Sequence, residues 1–333
     1  MRLTMTNIMR HLALAAALGA TSLFPHGVFA QGASWPTRSV RVIVPFLAGG
    51  SIDVVARTLA AELSARYHQQ FVVENKAGAG GTIGTDLVAK SAADGYTLLL
   101  TAQGPLVINP FIMSKLPYDA QHAFAPVSRV VDAPNVLVAS PKAGLPTFEA
   151  FLQRARSGGA PLTYATQGVG TTGHVTGALL DQALGISLTH VPYNGFPPIL
   201  TDVMQGRVDL MIADTVNVGE RVRTGQLAAV AVASPRRSSV LPEVPTFAEK
   251  GYPEIVAGPW FALLAPTGTS KSVRDKLSAT VKEILAKPDI ATRFHDMGLD
   301  IVGSTPDDLQ SYMDKEYARW GTIIRKAGIQ SAS

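Results

Sequence analysis

Two glycine loops are the residues in this chain best suited to chemistry, and that chemistry is the holding of an anion. Residues 41 to 48, Arg-Val-Ile-Val-Pro-Phe-Leu-Ala, run from an apolar strand pattern into Gly49-Gly50, after which a helix-period pattern opens. Glycine lets the backbone turn sharply and lets a ligand approach closely, while the first amides of the next helix have no internal acceptor and point outward. The arrangement recurs downstream: Leu162 to Thr166 is predicted as a strand, Gly168-Val169-Gly170-Thr171-Thr172-Gly173 as a loop, and His174 to Leu184 as a helix. Two amide-lined loops on separate strand-helix units imply one acidic ligand clamped between them.

Other chemistries fit these residues less well. The second loop satisfies G-x-G-x-x-G in a strand-to-helix setting, yet the next strand ends Thr189-His190-Val191, where a ribose-reading carboxylate should stand. A carboxylate cradle therefore suits it better than a dinucleotide site. There is no G-x-S-x-G elbow, no H-E-x-x-H pair and no cysteine, so neither a catalytic constellation, a metal site nor a cofactor is expected. His174 is expected to pack under its loop and hold it by a hydrogen bond, with direct ligand contact as the alternative. Asp53 either supplies a helix-start charge, worth about 0.3 to 1 kcal/mol, or accepts a bond that fixes the loop or takes a ligand group or water. Asp214, at the carboxyl end of a strand, is a pocket floor or a cap for the next turn.

The elements that must position these residues alternate. Val40 to Val44 precedes Ile52, Val55, Ala56, Leu59, Ala60 and Leu63, whose spacing places one apolar helix face inward. Phe71 to Glu74, a helix from Thr82 to Ala92 and the strand Thr97 to Thr101 follow, and alternation of this kind implies a mostly parallel sheet covered on both faces. After Ala133-Pro134 a second series begins with the strand Asn135 to Ala139 and continues through Ile186 to Val191, Val208 to Ile212 and Leu227 to Ala233. Trp260 to Leu264 is expected to return to the first domain. Two helices are expected to close the chain, one from near Ser270 to Pro288 and one capped by Ser304-Thr305, with Pro306 in its first turn and Gly328 as its stop. Trp260 and Trp320 are expected in the core.

Arg2 and Arg10 precede an apolar stretch, Leu12 to Phe24, and Val28-Phe29-Ala30 follows as a small-residue cleavage site. A signal peptide cut after Ala30 is expected, because that stretch is shorter than the roughly 18 residues a membrane span needs. The mature chain is then a soluble, exported protein, not itself embedded in a membrane. Among 333 residues, 47% are apolar and 16% charged, an ordinary globular balance with ample core. Without Arg2 and Arg10, 27 basic residues face 25 acidic ones, so no electrostatic footprint for nucleic acid is present.

Ordered along the chain, Val44-Pro45-Phe46 with Gly49-Gly50 and Asp53, Glu74-Asn75 with Gly78-Ala79-Gly80-Gly81, Asp94-Gly95-Tyr96-Thr97 and Leu116-Pro117-Tyr118-Asp119 resemble one family. Gly168-Val169-Gly170 with His174, Val191-Pro192-Tyr193, and Pro245-Thr246 with Glu249 continue the likeness over nearly the whole mature chain. The family is that of the periplasmic substrate-binding receptors of tripartite tricarboxylate transporters, the Bug receptors. The resemblance implies an α/β, two-domain, type II periplasmic-binding-protein-like fold, with its ligand cleft between two mostly parallel sheets. Residues 31–134 and 257–333 would form domain 1, and residues 135–256 domain 2.

It further implies a monomer that captures a small organic carboxylate and delivers it to a two-subunit membrane permease, without catalysis. The expected ligand-binding set is Phe46, Ala48, Gly49, Gly50 and Asp53 from the first loop, Thr166, Gly168, Gly170, Thr171, Thr172 and His174 from the second, and Gln103, Asn194 and Asp214. Asn194 stands where a basic residue is common in the family, Ile52 where a hydroxyl is frequent, and Phe196-Pro197 where small residues are usual. Those departures favour an aromatic dicarboxylate such as terephthalate over citrate. An exported enzyme acting on a small acid, or a ligand receptor for a sensor kinase, remain the alternative functions.

Overall fold

A computed structural model of the chain describes residues 35–329, so the expected cleavage after Ala30 lies outside the described residues. The first sheet is built from β1 (Val40–Val44), β2 (Phe71–Asn75), β3 (Thr97–Ala102), β4 (Phe124–Asp132), β10 (Trp260–Pro266) and β11 (Asp300–Ile301), in the order β11-β4-β10-β3-β1-β2. The second contains β5 (Asn135–Ala139), β6 (Leu162–Thr166), β7 (Leu188–Pro192), β8 (Leu210–Asp214) and β9 (Ala228–Val232), in the order β7-β6-β8-β5-β9.

Helices α1 (Ser51–Tyr67), α2 (Thr82–Ala89), α3 (Asn109–Ile112), α8 (Lys271–Leu285), α9 (Pro288–Asp296) and α10 (Pro306–Ala327) lie in the stretches that build the first sheet. Those that build the second contain α4 (Phe148–Arg156), α5 (Thr172–Leu184), α6 (Phe196–Met204) and α7 (Thr215–Arg223).

The two-sheet α/β architecture matches expectation, but the sheets are mixed rather than mostly parallel. β1 pairs in parallel with β2 and β3, as β6 does with β7 and β8. β10 runs antiparallel to β3 and β4, β11 to β4, and β5 to β8 and β9. Parallel neighbours need a crossover, usually helical, between them. β4 and β10 instead join the other sheet at one end, so nothing forces that direction on them.

The two passages between the sheets lie side by side. Ala133 N donates to Pro259 O at 2.8 Å and Asn135 N to Ala257 O at 3.1 Å. A methyl group on Gly258 would stand 2.5 Å from Ala133 O, so only glycine fits there.

Local signals explain most boundaries. Thr305 accepts from Asp308 N at 3.2 Å, Pro306 occupies the first turn of α10, and Gly328 ends that helix at φ 63°. Leu309, Met313, Trp320 and Ile324 face inward from it and are buried. A continuous apolar cluster runs from Ile43 and Leu99 through Trp320 of α10 and Leu180 of α5 to Leu137 and Ile212. Three helices, not two, close the chain, because Pro288 ends the α8 segment and also starts α9, its missing N–H costing nothing in a first turn. Pro197 and Pro198 start α6 in the same way.

Candidate functional site

The first loop is held by a carboxylate. Asp53, buried in the first turn of α1, accepts from Gly49 N at 3.0 Å, Arg57 Nε at 2.9 Å and Asn75 Nδ2 at 2.9 Å. Asn75 Nδ2 also donates to Phe46 O at 3.1 Å, and Arg57 Nη2 to Asn75 Oδ1 at 3.0 Å. Burial pushes the Asp53 carboxyl up, but the bonds from Arg57, Asn75 and Gly49 outweigh it and hold the group below its ordinary value. Both oxygens are thus engaged within the loop, so of the roles open to Asp53, fixing the loop is the one these contacts carry. Gly49 takes φ 87°, a left-handed conformation that glycine adopts freely, and Gly50 caps α1 with no side chain to offer. Asp53 N returns to Gly50 O at 3.0 Å, and the Ser51 and Ile52 amides of the first turn of α1 remain available to an anion.

The second loop is held by an imidazole. Gly170 N donates to His174 Nδ1 at 3.4 Å, and His174 stacks on His190 with ring centroids 4.2 Å apart. His190 Nε2 meets Thr166 Oγ1 at 2.6 Å. Burial pulls His174 down to about 4; burial and the neighbouring His174 pull His190 down to about 3, so both rings are neutral near pH 7. His174 thus supports the loop as expected, its ring taking the Gly170 amide. The Thr171 hydroxyl donates to Gly168 O at 2.8 Å rather than capping α5, whose first amides are left open as those of α1 are. By contrast Thr147, Ser270 and Thr305 cap α4, α8 and α10 with their side chains.

Contacts between the sheets' loops enclose the region. A Cβ on Gly104 would lie 2.7 Å from Gly170 O, one on Gly80 2.9 Å from Val169 O, and one on Gly195 3.1 Å from Leu47 Cδ1. Ser51 Oγ donates to Asp214 Oδ2 at 2.7 Å, joining α1 to the end of β8. Asp214 Oδ1 accepts from Asn217 N at 3.1 Å and Asn217 Nδ2 at 2.9 Å, so Asp214 is the cap of α7, one of its two expected roles. Burial pushes the Asp214 carboxyl up, against the bonds from Ser51 and Asn217.

Gln103 is fully buried, its Oε1 accepting from Trp260 N at 3.2 Å and its Nε2 left without a protein partner. Phe46 is half-buried near Gly81, Ala48 is exposed at the loop tip, and Thr166 and Thr172 are buried. Asn194 is exposed in the turn before α6.

Sequence reasoning missed Ser51 and Asn109. Asn109 Nδ2 donates to Gly80 O at 3.2 Å and Thr82 Oγ1 at 3.1 Å, while its Oδ1 sits against Gly170 so closely that any side chain there collides with it. The only local signal was a polar residue before Pro110 in an otherwise apolar stretch.

A model of the tripartite tricarboxylate transporter family receptor matches residues 55–329. Protein BugT of Bordetella pertussis is 38% identical over 323 residues, covering 97% of this chain and 98% of its own. A solved R. palustris structure with adipate is 33% identical at a TM-score of 0.84, covering 89% of this chain and 99% of the other. MatC from Rhodopseudomonas palustris with bound malate is also 33% identical, at a TM-score of 0.80, covering 87% of this chain and 99% of the other.

Proposed function

The chain belongs to the tripartite tricarboxylate transporter receptor family, and from that membership we propose that it captures a small organic carboxylate in the periplasm and passes it to a two-subunit membrane permease. The observation that carries this reading is that two of the helix starts without side-chain caps, at Gly50 and Thr171, lie on glycine loops that each contact residues of the other sheet. Open first-turn amides and the positive end of a helix dipole favour a carboxylate whoever carries it. The adipate and malate held by the two solved relatives support the ligand class. Gln103 Nε2 is a further donor for the ligand or for a water beside it. The protein acts as a monomer and by binding alone, releasing its ligand unchanged.

Residues 31–134 with 257–333, and residues 135–256, are the two bodies that close on the ligand about the paired passages near Ala133 and Gly258. This division is supported by the sheet memberships of β1 to β4 with β10 and β11, and of β5 to β9. Among small organic carboxylates, an aromatic dicarboxylate such as terephthalate is favoured over citrate. Support comes from apolar side chains at Ile52 and Phe196 and from an uncharged Asn194, since a tricarboxylate would need further cations for its remaining charges. A ring contact with Phe196 would add about 0.5 to 1.5 kcal/mol.

Calorimetric titration with terephthalate, adipate, malate and citrate tests the proposal, with mass spectrometry of the recovered ligand. Heat from one or more of the dicarboxylates and an unchanged ligand are expected. Silence from all four refutes capture of this class, a chemically altered ligand refutes binding alone, and citrate tighter than terephthalate removes the aromatic preference.

A further inference from the structure

Asp214 is a buried carboxylate at which an element of the other sheet supplies one of the hydrogen bonds. It is 4% exposed and its partner Ser51 6% exposed, although the two stand on different sheets' elements, 163 residues apart in sequence. The groups around the carboxylate are neutral donors, Ser51 Oγ, Asn217 N and Nδ2 and the Val216 amide. Among the described residues, it takes part in no ion pair with Lys, Arg or His. The nearest charged group along α1 is Asp53, a like charge already committed to Gly49, Arg57 and Asn75. A buried charge without a counter-charge is costly even when hydrogen-bonded, whereas the same carboxylate facing water is not.

We propose that Asp214 sets the closing threshold of the receptor: its buried, unpaired charge disfavours the ligand-free closed form, and Ser51 is the donor that makes closure tolerable. This rests on the hinged-receptor reading above and assigns Asp214 and Ser51 positioning roles rather than ligand contact. In the open form the Ser51–Asp214 bond is broken and water solvates the carboxylate, while Asn217 continues to satisfy Oδ1 as the α7 cap. Closing strips that water and substitutes one hydroxyl. Ligand binding must offset the difference, so an empty receptor stays open and does not present a closed form to its partner.

Asp214→Asn separates the roles, because asparagine is a good helix cap and keeps a polar partner for Ser51 while removing the charge. The chain has no cysteine, so spin labels at Ile83→Cys and Met204→Cys, exposed positions on helices of different sheets, report the interdomain distance directly. The protein is unfolded, dialysed and refolded to strip carried-over ligand. Without ligand, Asp214→Asn is expected to raise the closed population on the order of threefold to tenfold and to tighten terephthalate or adipate binding by a similar factor. Ser51→Ala should do the reverse, Ser51→Thr should restore wild-type behaviour, and Ser51→Ala should matter less in the Asp214→Asn background.

A wild type that closes on ligand while ligand-free Asp214→Asn stays as open as wild type overturns the threshold alone. Weaker ligand binding by a folded Asp214→Asn also overturns it and makes Asp214 a ligand contact. A wild type that never moves, with ligand or without, overturns the hinged reading and the threshold together. Should Asp214→Asn fail to fold, Ser51→Ala decides: unchanged affinity refutes the proposal, and weakened affinity restored by Ser51→Thr supports it.

Discussion

Replacing Asp53 by alanine should loosen the first loop and the fold together, because its carboxylate ties β1, α1 and β2 at one point. Two neutral donors lose a charged acceptor, Gly49 N at 3.0 Å and Asn75 Nδ2 at 2.9 Å. Hydrogen bonds to a charged group contribute about 1.5 to 3 kcal/mol each, but Asn75 Nδ2 keeps Phe46 O as a second acceptor, which lowers its share. The Arg57 side chain is 54% exposed, so water replaces much of that ion pair and it adds at most about 1 kcal/mol. The expected loss is therefore about 2 to 4 kcal/mol in urea unfolding, with Arg57→Ala costing under about 1 kcal/mol.

The pH dependence has a definite sign. Asp53 has a lowered carboxyl pKa in the folded chain, so its contribution is present above the unfolded value near 3.9 and is lost as pH falls through the folded one. The stability gap between wild type and Asp53→Ala should accordingly narrow below about pH 4. If Asp53→Ala unfolds within about 1 kcal/mol of wild type yet binds carboxylates a hundredfold more weakly, Asp53 is a ligand contact and the clamp argument is wrong.

Gly49→Ala and Gly170→Ala should differ although both residues have positive φ, 87° and 82°. A methyl on Gly49 meets nothing within 4 Å, so its cost is backbone strain of about 1 to 2 kcal/mol, while one on Gly170 collides with Asn109 and should weaken carboxylate binding at least tenfold more; equal titration curves would contradict this. His174 and His190, lowered to about 4 and about 3, should show neutral imidazole resonances by NMR at pH 5. Because the unfolded rings protonate near 6.5, stability should fall as pH drops from there toward 4, and His174→Gln should flatten that slope; an unaltered slope would remove the ring pair as its source. Trp320→Phe leaves Glu316 Oε2 without its 2.9 Å donor and should cost about 1 to 3 kcal/mol in chemical unfolding, with a negligible loss counting against that buried bond.

Strand–glycine–helix order, the Thr305 and Gly328 helix limits and the inward face of α10 were legible in the sequence because each depends on neighbours within a few residues. So were the uncapped helix starts at Gly50 and Thr171, since open first-turn amides follow from chain geometry alone. Strand direction at β4 and β10 was not legible, because a strand's direction against its neighbours is decided by packing over long sequence separations. Only the tertiary structure set Asn109 against Gly170 and brought Ser51 to Asp214. These contacts link residues that carry no shared spacing pattern, and they exist only where two sheets meet. Local sequence determined where each helix start lacks a side-chain cap, and the meeting of the sheets decided which residues surround it.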